Sequence, residues 1–307
     1  MARNKIKFSV IIPTYNREKF LVSSLQSAHD ALPQGGEIIV VNDGAPLSNK
    51  TRLEVAKLGG KVIMTSGSLG AGAARNLGAT QAQGKWLLFL DDDDLIAKNY
   101  WRDLQKYIDI KLEIGGNAYG FCKYTSHSDR EKMKTLANAE TEFLFYPKCC
   151  VSIKSKLAGF GVGFWVSKDL FELVDGINPK LQTNEDTDFC LRLLNAGAQC
   201  HKCTGTGAII FSGDHGSTSA QSTTKRHSAK QRASYFKHII ETNAGILATD
   251  PKTMHWLWKR YLKMAAKSGG IAGVNNLWLF PKLAKISKFR LALYWIIWSI
   301  ISIFHHP

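Results

Sequence analysis

The chain has 307 residues, 45% apolar and 21% charged, the composition of a globular protein with a sizeable core in one large domain or one domain plus an appendage. Its net charge of +15 is uneven: residues 221–307 hold 14 Lys or Arg against two acids, Glu241 and Asp250. The six cysteines are scattered, Cys200-His201-Lys202-Cys203 has no second pair at zinc-site distance, and Pro13 and Asn16 break the apolar run behind the basic first residues; these features argue against a zinc site and a secretory leader and for free thiols in a reducing compartment.

Residues 8–13 read as a first strand, stopped by Pro13. Thr14-Tyr15-Asn16-Arg17 is a loop. Phe20, Leu21, Leu25, Ala28 and Leu32 then fall at helical spacing as far as Pro33-Gln34-Gly35-Gly36. Residues 37–41 form a second buried strand ending in Asn42-Asp43-Gly44. A helix over 48–58 and a short strand over 61–65 follow. Residues 66–72 are glycine-rich, and 73–83 read as helix. This loop follows the third strand, not the first, so it is no dinucleotide fingerprint, and no Walker A pattern occurs in the chain. Its functional reading is close backbone approach to a ligand beside a helix N-terminus, with Arg75 available for phosphate.

Next comes Trp86-Leu87-Leu88-Phe89-Leu90, a continuous apolar run that reads as a strand buried on both faces, leading straight into Asp91-Asp92-Asp93-Asp94. Strand and helix have by then alternated four times, which predicts βαβ units, a parallel sheet and polar strand ends gathered on one edge. Four adjacent carboxylates repel one another and require a positive partner. A hard divalent cation, Mg²⁺ or Mn²⁺, suits an all-oxygen ligand set.

Beyond the acids, residues 99–110 read as helix, 119–123 as a short strand and 126–134 as a polar loop. Residues 160–166, glycine and aromatic, read as a strand that either admits a ligand or is simply irregular. Phe189, Leu193 and Ala196 mark a helix that Gly197 stops, with Thr183 or Asn184 as its cap. Glu185 and Asp186 fall in its first turn, where acids complement the helix dipole and where one could serve as a general base. A strand over 208–211 precedes His215 in a Gly/Ser loop.

Taken in order, these pieces resemble the GT-A glycosyltransferases of family 2. Ile11-Ile12-Pro13-Thr14-Tyr15-Asn16 resembles the opening strand and turn, and Val40-Val41-Asn42-Asp43-Gly44 the second strand. Gly72-Ala73-Ala74-Arg75-Asn76 resembles the A-R-N segment, and Phe89-Leu90-Asp91-Asp92-Asp93-Asp94 the segment holding the DxD motif. Asn184-Glu185-Asp186 with Arg192 resembles the E-D helix, and His215 with Ser217 and Ser219 the late histidine element. The resemblance covers roughly residues 6–220. It implies a mostly parallel Rossmann-like sheet flanked by helices, with Pro13, Tyr15 and Asp43 at the nucleotide base. Thr14, Arg75, Asp91 and Asp92 are further donor-site residues, with Asp91 near the ribose and metal. Asp93 and His215 would hold Mg²⁺ or Mn²⁺, and Asp186 would take the proton from the acceptor hydroxyl. The expected activity is inverting sugar transfer from a nucleotide-sugar, UDP-linked, to a saccharide or lipid-linked acceptor. The alternatives are a non-catalytic sugar-nucleotide-binding or scaffold protein on the same fold, and a nucleotidyltransferase.

The expected domains are a transferase unit over 1–220 and a basic helical extension over 221–307. The extension is read as helices over 225–240 and 252–266 and a charge-free segment over 291–304, shorter than the roughly 20 residues a spanning helix needs. Basic residues beside Trp256, Trp258, Trp278, Trp295 and Trp298 suggest helices lying on the inner face of a membrane, and so a cytoplasmic, peripheral protein. Packing on the domain or on a second copy is the other reading. No motif supports nucleic-acid binding.

Overall fold

The structure is a computed structural model that describes residues 8–111, 116–149, 151–213, 227–268 and 292–297. Its first half alternates: β1 (Phe8–Thr14), α1 (Glu18–Ala31), β2 (Glu37–Asn42), α2 (Asn49–Lys57), β3 (Gly60–Met64), α3 (Ala71–Gln81) and β4 (Trp86–Phe89). Then follow β5 (Leu95–Ile96), α4 (Tyr100–Lys111), β6 (Ala118–His127), α5 (Arg130–Asn138), β7 (Phe145–Pro147), a 3₁₀ turn (Ile153–Lys156) and β8 (Trp165–Ser167). The last elements are α6 (Lys168–Leu173), α7 (Glu185–Asn195), β9 (Gln199–Phe211), α8 (Ala229–Thr242), α9 (Ala244–Leu247) and α10 (Pro251–Lys267).

One nine-stranded sheet runs β3-β2-β1-β4-β8-β6-β9-β5, with β7 also on β9. The β3-β2-β1-β4 half is parallel, as the buried apolar runs predict. Beyond β4 the sheet is mixed: β8 is antiparallel to both neighbours, while β6 and β9 form a second parallel ladder. β1 is flanked by β2 on one side and β4 on the other, so the strand order reverses between β1 and β4 and opens a crevice at their carboxyl ends. One face of the sheet is covered by α1 and α4 through Leu21, Leu25, Trp101 and Leu104. The other packs on α3, α6 and α7 through Ala74, Phe171, Phe189 and Leu193.

Two expectations fail after β4. Residues 126–134 are not a loop: Ser126 and His127 continue β6, and α5 starts at Arg130 with Asp129 as its N-cap. The polar surface of α5 hid its helical character, because only Met133 and Ala137 are buried. Residues 160–163 are a turn and only 165–167 pair as a strand. The 208–211 strand is the end of the thirteen-residue β9, whose start holds buried Cys200 and Cys203 as free thiols.

The C-terminal helices pack on this body. Phe236, Ile239 and Ile240 of α8 and Leu257, Trp258 and Tyr261 of α10 share one apolar cluster with Ile153, Leu181 and Leu191. Buried Asn243 donates to Asp188 of α7 at 3.0 Å, and Asp250 accepts from the Ile153 amide at 2.8 Å. Trp258 is therefore core, not an interfacial anchor; an amphipathic basic helix carries the same pattern whether a protein or a membrane covers it. Among the described residues no helix is long and apolar enough to cross a membrane.

Candidate active site

β1 ends in Thr14 and β4 runs into the four-aspartate turn, so the two strand ends bring residues 13–17 against 91–94. Asp92 is fully buried; Thr14 donates to it at 2.6 Å and Arg17 pairs with both its oxygens. Arg17 also holds Asp93 at 2.7 Å. Burial pushes the Asp92 carboxyl up to about 7, with the Arg17 guanidinium and Thr14 hydroxyl pulling against it. Asp94 is buried too, raised well above the usual carboxylate range, and accepts from the Phe211 amide at the end of β9. Arg130 of α5 reaches the Asp93 carbonyl. Asp91 is the most open of the four, its side chain 30% exposed, and Arg75 of α3 pairs with it at 2.5 Å.

The repulsion within the acid turn is thus answered from inside the protein by Arg17 and Arg75. Sequence reasoning missed Arg17. The available signal was its place in the turn after β1, the strand beside β4. It also placed Asp92 and Thr14 in the donor site; the two face each other in the interior, bonded across the turn.

Asp43, at the end of β2, is 4% exposed and orders the glycine-rich loop. It accepts from the Leu69 and Gly70 amides at 3.0 and 2.7 Å and from the Thr65 hydroxyl. Gly70 sits at φ +94°, a left-handed value that favours glycine, and starts α3. Tyr15 lies beside the same loop, its hydroxyl 3.4 Å from that of Ser68, and Pro13 is buried behind it. Tyr15 and Asp43 thus both touch residues 65–70, and Pro13 precedes them in β1, in register with Val41 of β2.

Across the crevice, α7 begins with Glu185 and Asp186. Asn184 holds the cap position in a left-handed conformation without a side-chain cap bond. Arg75 spans the gap, one nitrogen on Asp91 and the other 3.6 Å from Glu185, with its guanidinium 4.5 Å from the Phe160 ring. Burial raises Glu185 to about 7; Asp186 adds to this and Arg75 opposes it. Burial also raises Asp186, against its bonds from Thr187 and the charges of Arg75 and Arg260. Residues 159–161 line the space between the acid groups. A Cβ on Gly161 would stand 2.8 Å from an Asp94 oxygen and 2.9 Å from an Asp91 oxygen, so a side chain there would displace the carboxylates.

His215 lies outside the described residues. Among those described, no three His, Cys, Asp or Glu side chains converge as a metal cluster. The donor chemistry still fits Mg²⁺ or Mn²⁺, because Mg²⁺ in nucleotide sites is held by one or two carboxylates plus substrate phosphates, and Asp91 and Asp93 are hard oxygen donors at the crevice. Each shares an oxygen with an arginine, which a cation would have to displace or share.

Comparison with known proteins places this arrangement. The model of the family described as "Glycosyl transferase family 2" matches residues 9–166, a span that includes the acid turn and stops short of α7. An uncharacterized glycosyltransferase of Haemophilus influenzae is 26% identical over 198 residues, 61% of each chain. The poly(ribitol-phosphate) beta-N-acetylglucosaminyltransferase TarS of Staphylococcus aureus is 36% identical over 115 residues, 34% of this chain and 19% of that one. These matches span less than two thirds of either relative's length. The structure of TarS 1-349 in complex with UDP-GlcNAc superposes with a TM-score of 0.67 at 18% identity, covering 97% of this chain and 89% of that one. GalNAc-T7 with UDP, GalNAc and Mn²⁺ gives 0.57 at 17% identity, covering 78% and 49%. At these identities the structural likeness speaks for the fold.

Proposed function

The chain belongs to glycosyl transferase family 2, and from that premise we propose that it transfers a sugar from a UDP-linked donor to a hydroxyl of a saccharide or lipid-linked saccharide, with inversion at the anomeric carbon. The observation that carries this reading is the span of Arg75 from Asp91 to Glu185, which sets a carboxylate turn at the strand-order reversal opposite a carboxylate pair on α7. Pro13, Tyr15 and Asp43 form the base end of the donor site with residues 65–70. Asp91 and Arg75 lie toward the ribose and diphosphate. Asp186 takes the proton from the acceptor hydroxyl as that oxygen bonds to the anomeric carbon, and a base poised in this way contributes roughly 10²–10⁴-fold. Asp93, with His215, would hold Mg²⁺ or Mn²⁺, which when bound supplies Lewis-acid stabilisation of the departing diphosphate. The UDP-GlcNAc in the TarS structure and the UDP and Mn²⁺ in that of GalNAc-T7 support the choice of nucleotide and metal.

We take residues 1–220 as the transferase unit and 221–307 as an extension that meets the cytoplasmic face of a membrane. Exposed Leu293, Ile296 and Ile297 and the excess of Lys and Arg support that surface association.

The test is a thermal-shift series with UDP, GDP, dTDP and CDP, each with and without Mn²⁺. A ligand that binds only the native state raises the melting temperature by mass action. A Mn²⁺-dependent shift with UDP is expected. Folded protein that responds to no nucleotide would favour the scaffold reading.

A further inference from the structure

Arg232 and Phe236 lie one turn apart on α8, and Trp256 and Arg260 one turn apart on α10. The Arg260 guanidinium lies 5.6 Å from the Phe236 ring and 4.8 Å from that of Trp256, so the two arginines share one face of the helix pair. Arg260 is exposed and Arg232 half-buried. Among the described residues neither side chain has a hydrogen bond or an acidic partner within ion-pair distance, and the Arg232 Nε is buried without an acceptor. Arg17, Arg75 and Arg192, by contrast, each have a carboxylate partner. Burial weighs most against the charge of Arg260, the repulsion of Arg232 adds to it, and Asp186 and Tyr294 oppose it.

Two neighbouring cations with no acid in ion-pair distance among the described residues repel each other, and a ligand anion would offset that cost. A guanidinium fork matches phosphate oxygens in pairs, and an aromatic shelf beneath it fixes the plane of the fork. We propose that Arg232 and Arg260 together bind a phosphate group carried by the acceptor and so hold the acceptor hydroxyl toward Asp186. This rests on the reading of Asp186 as the acceptor-side base. It makes the extension part of the substrate site.

The test titrates sn-glycerol 3-phosphate, with glycerol as the neutral control, into the full chain with and without saturating UDP. Vesicles of phosphatidylglycerol or phosphatidylcholine form a separate arm. Glycerol 3-phosphate is expected to bind in the presence of UDP and glycerol not. Arg232→Gln and Arg260→Gln should each weaken binding roughly tenfold or more, as loss of a charge-assisted bond does. Arg260→Lys should restore part of it. Lys237→Gln, which removes an α8 charge already paired with Glu241, should leave binding unchanged. Melting curves without ligand establish that each variant folds. The proposal is overturned if the double Gln variant binds as the wild type does, or if the wild type does not bind. It is overturned equally if UDP displaces glycerol 3-phosphate, because the pair then serves the donor, or if only phosphatidylglycerol vesicles bind, because it then serves a headgroup. If UDP gives no melting shift while glycerol 3-phosphate binding stays sensitive to Arg232→Gln, the transferase reading falls and the anion site stands without it.

Discussion

Arg75 couples two carboxylate sets that the sequence separates by about a hundred residues, and its environment makes the site's protonation measurable. Glu185 titrates near 7 in the folded chain and near the usual carboxylate value unfolded, so the folded state holds the extra proton between the two. Stability from this group is complete below the unfolded value and is lost as pH rises through 7. The ligand-free protein should therefore melt at a higher temperature at pH 5.5 than at pH 8, and Glu185→Gln should reduce the difference in a pH series of melting curves, Asp92 supplying part of what remains. For Asp186, raised by burial, the acidic limb of kcat/KM should lie above the ordinary carboxylate range. Since Arg260 pulls that group down, Arg260→Gln should move the limb to higher pH. Asp186→Asn should lower turnover roughly 10²–10⁴-fold while the UDP melting shift persists. Asp91 and Asp93 could be picked out by their place after a buried strand, and Asp186 by its place in the first turn of a helix. Arg17 could not, because its partner Asp92 lies 75 residues away, and Arg260 could not, because its nearness to Asp186 depends on distant segments that no local pattern signals.

The parallel half of the sheet could be read from its apolar runs, since a strand buried on both faces has little other composition to choose from. The elements after β4 were harder. α5 buries so little that its sequence resembles a polar loop, and the start of β9 was hidden by His201, Lys202 and two glycines among its residues. The glycine-rich loop was recognised as a site element, but its anchor was not: the Asp43 carboxylate holds three donors there. Asp43→Ala should cost about 3 kcal/mol in denaturant unfolding, given 1.5–3 for a hydrogen bond to a charged group and partial rescue by water. Hydrogen exchange should accelerate first at the Leu69 and Gly70 amides. Between α7 and α9, Asn243→Ala leaves buried Asp188 with only Arg192 and should cost about 1–3 kcal/mol by the same measurement.

At the scale of the whole molecule, the basic C-terminal part shares an apolar cluster with the body that precedes it. Its helices cover Leu181 and Leu191 and tie down the 3₁₀ turn through Asp250 and Thr253. Truncation after residue 226 should uncover that apolar face, and the product is expected to aggregate or bind a hydrophobic dye, as gel filtration and fluorescence would report. Charge counting identified the basic stretch; what its helices lean against depends on a surface assembled from distant segments, which composition does not encode. The bond from the Phe211 amide to Asp94, spanning 117 residues, bears on how the protein is made. A ribosome releases the aspartate turn first and, at about 5–20 residues per second, needs roughly 10 s to supply the strand that completes it. For that interval the nascent chain carries an acidic loop with Arg17 and Arg75 already at hand but its far wall missing, so the order of synthesis makes the crevice one of the last features to close.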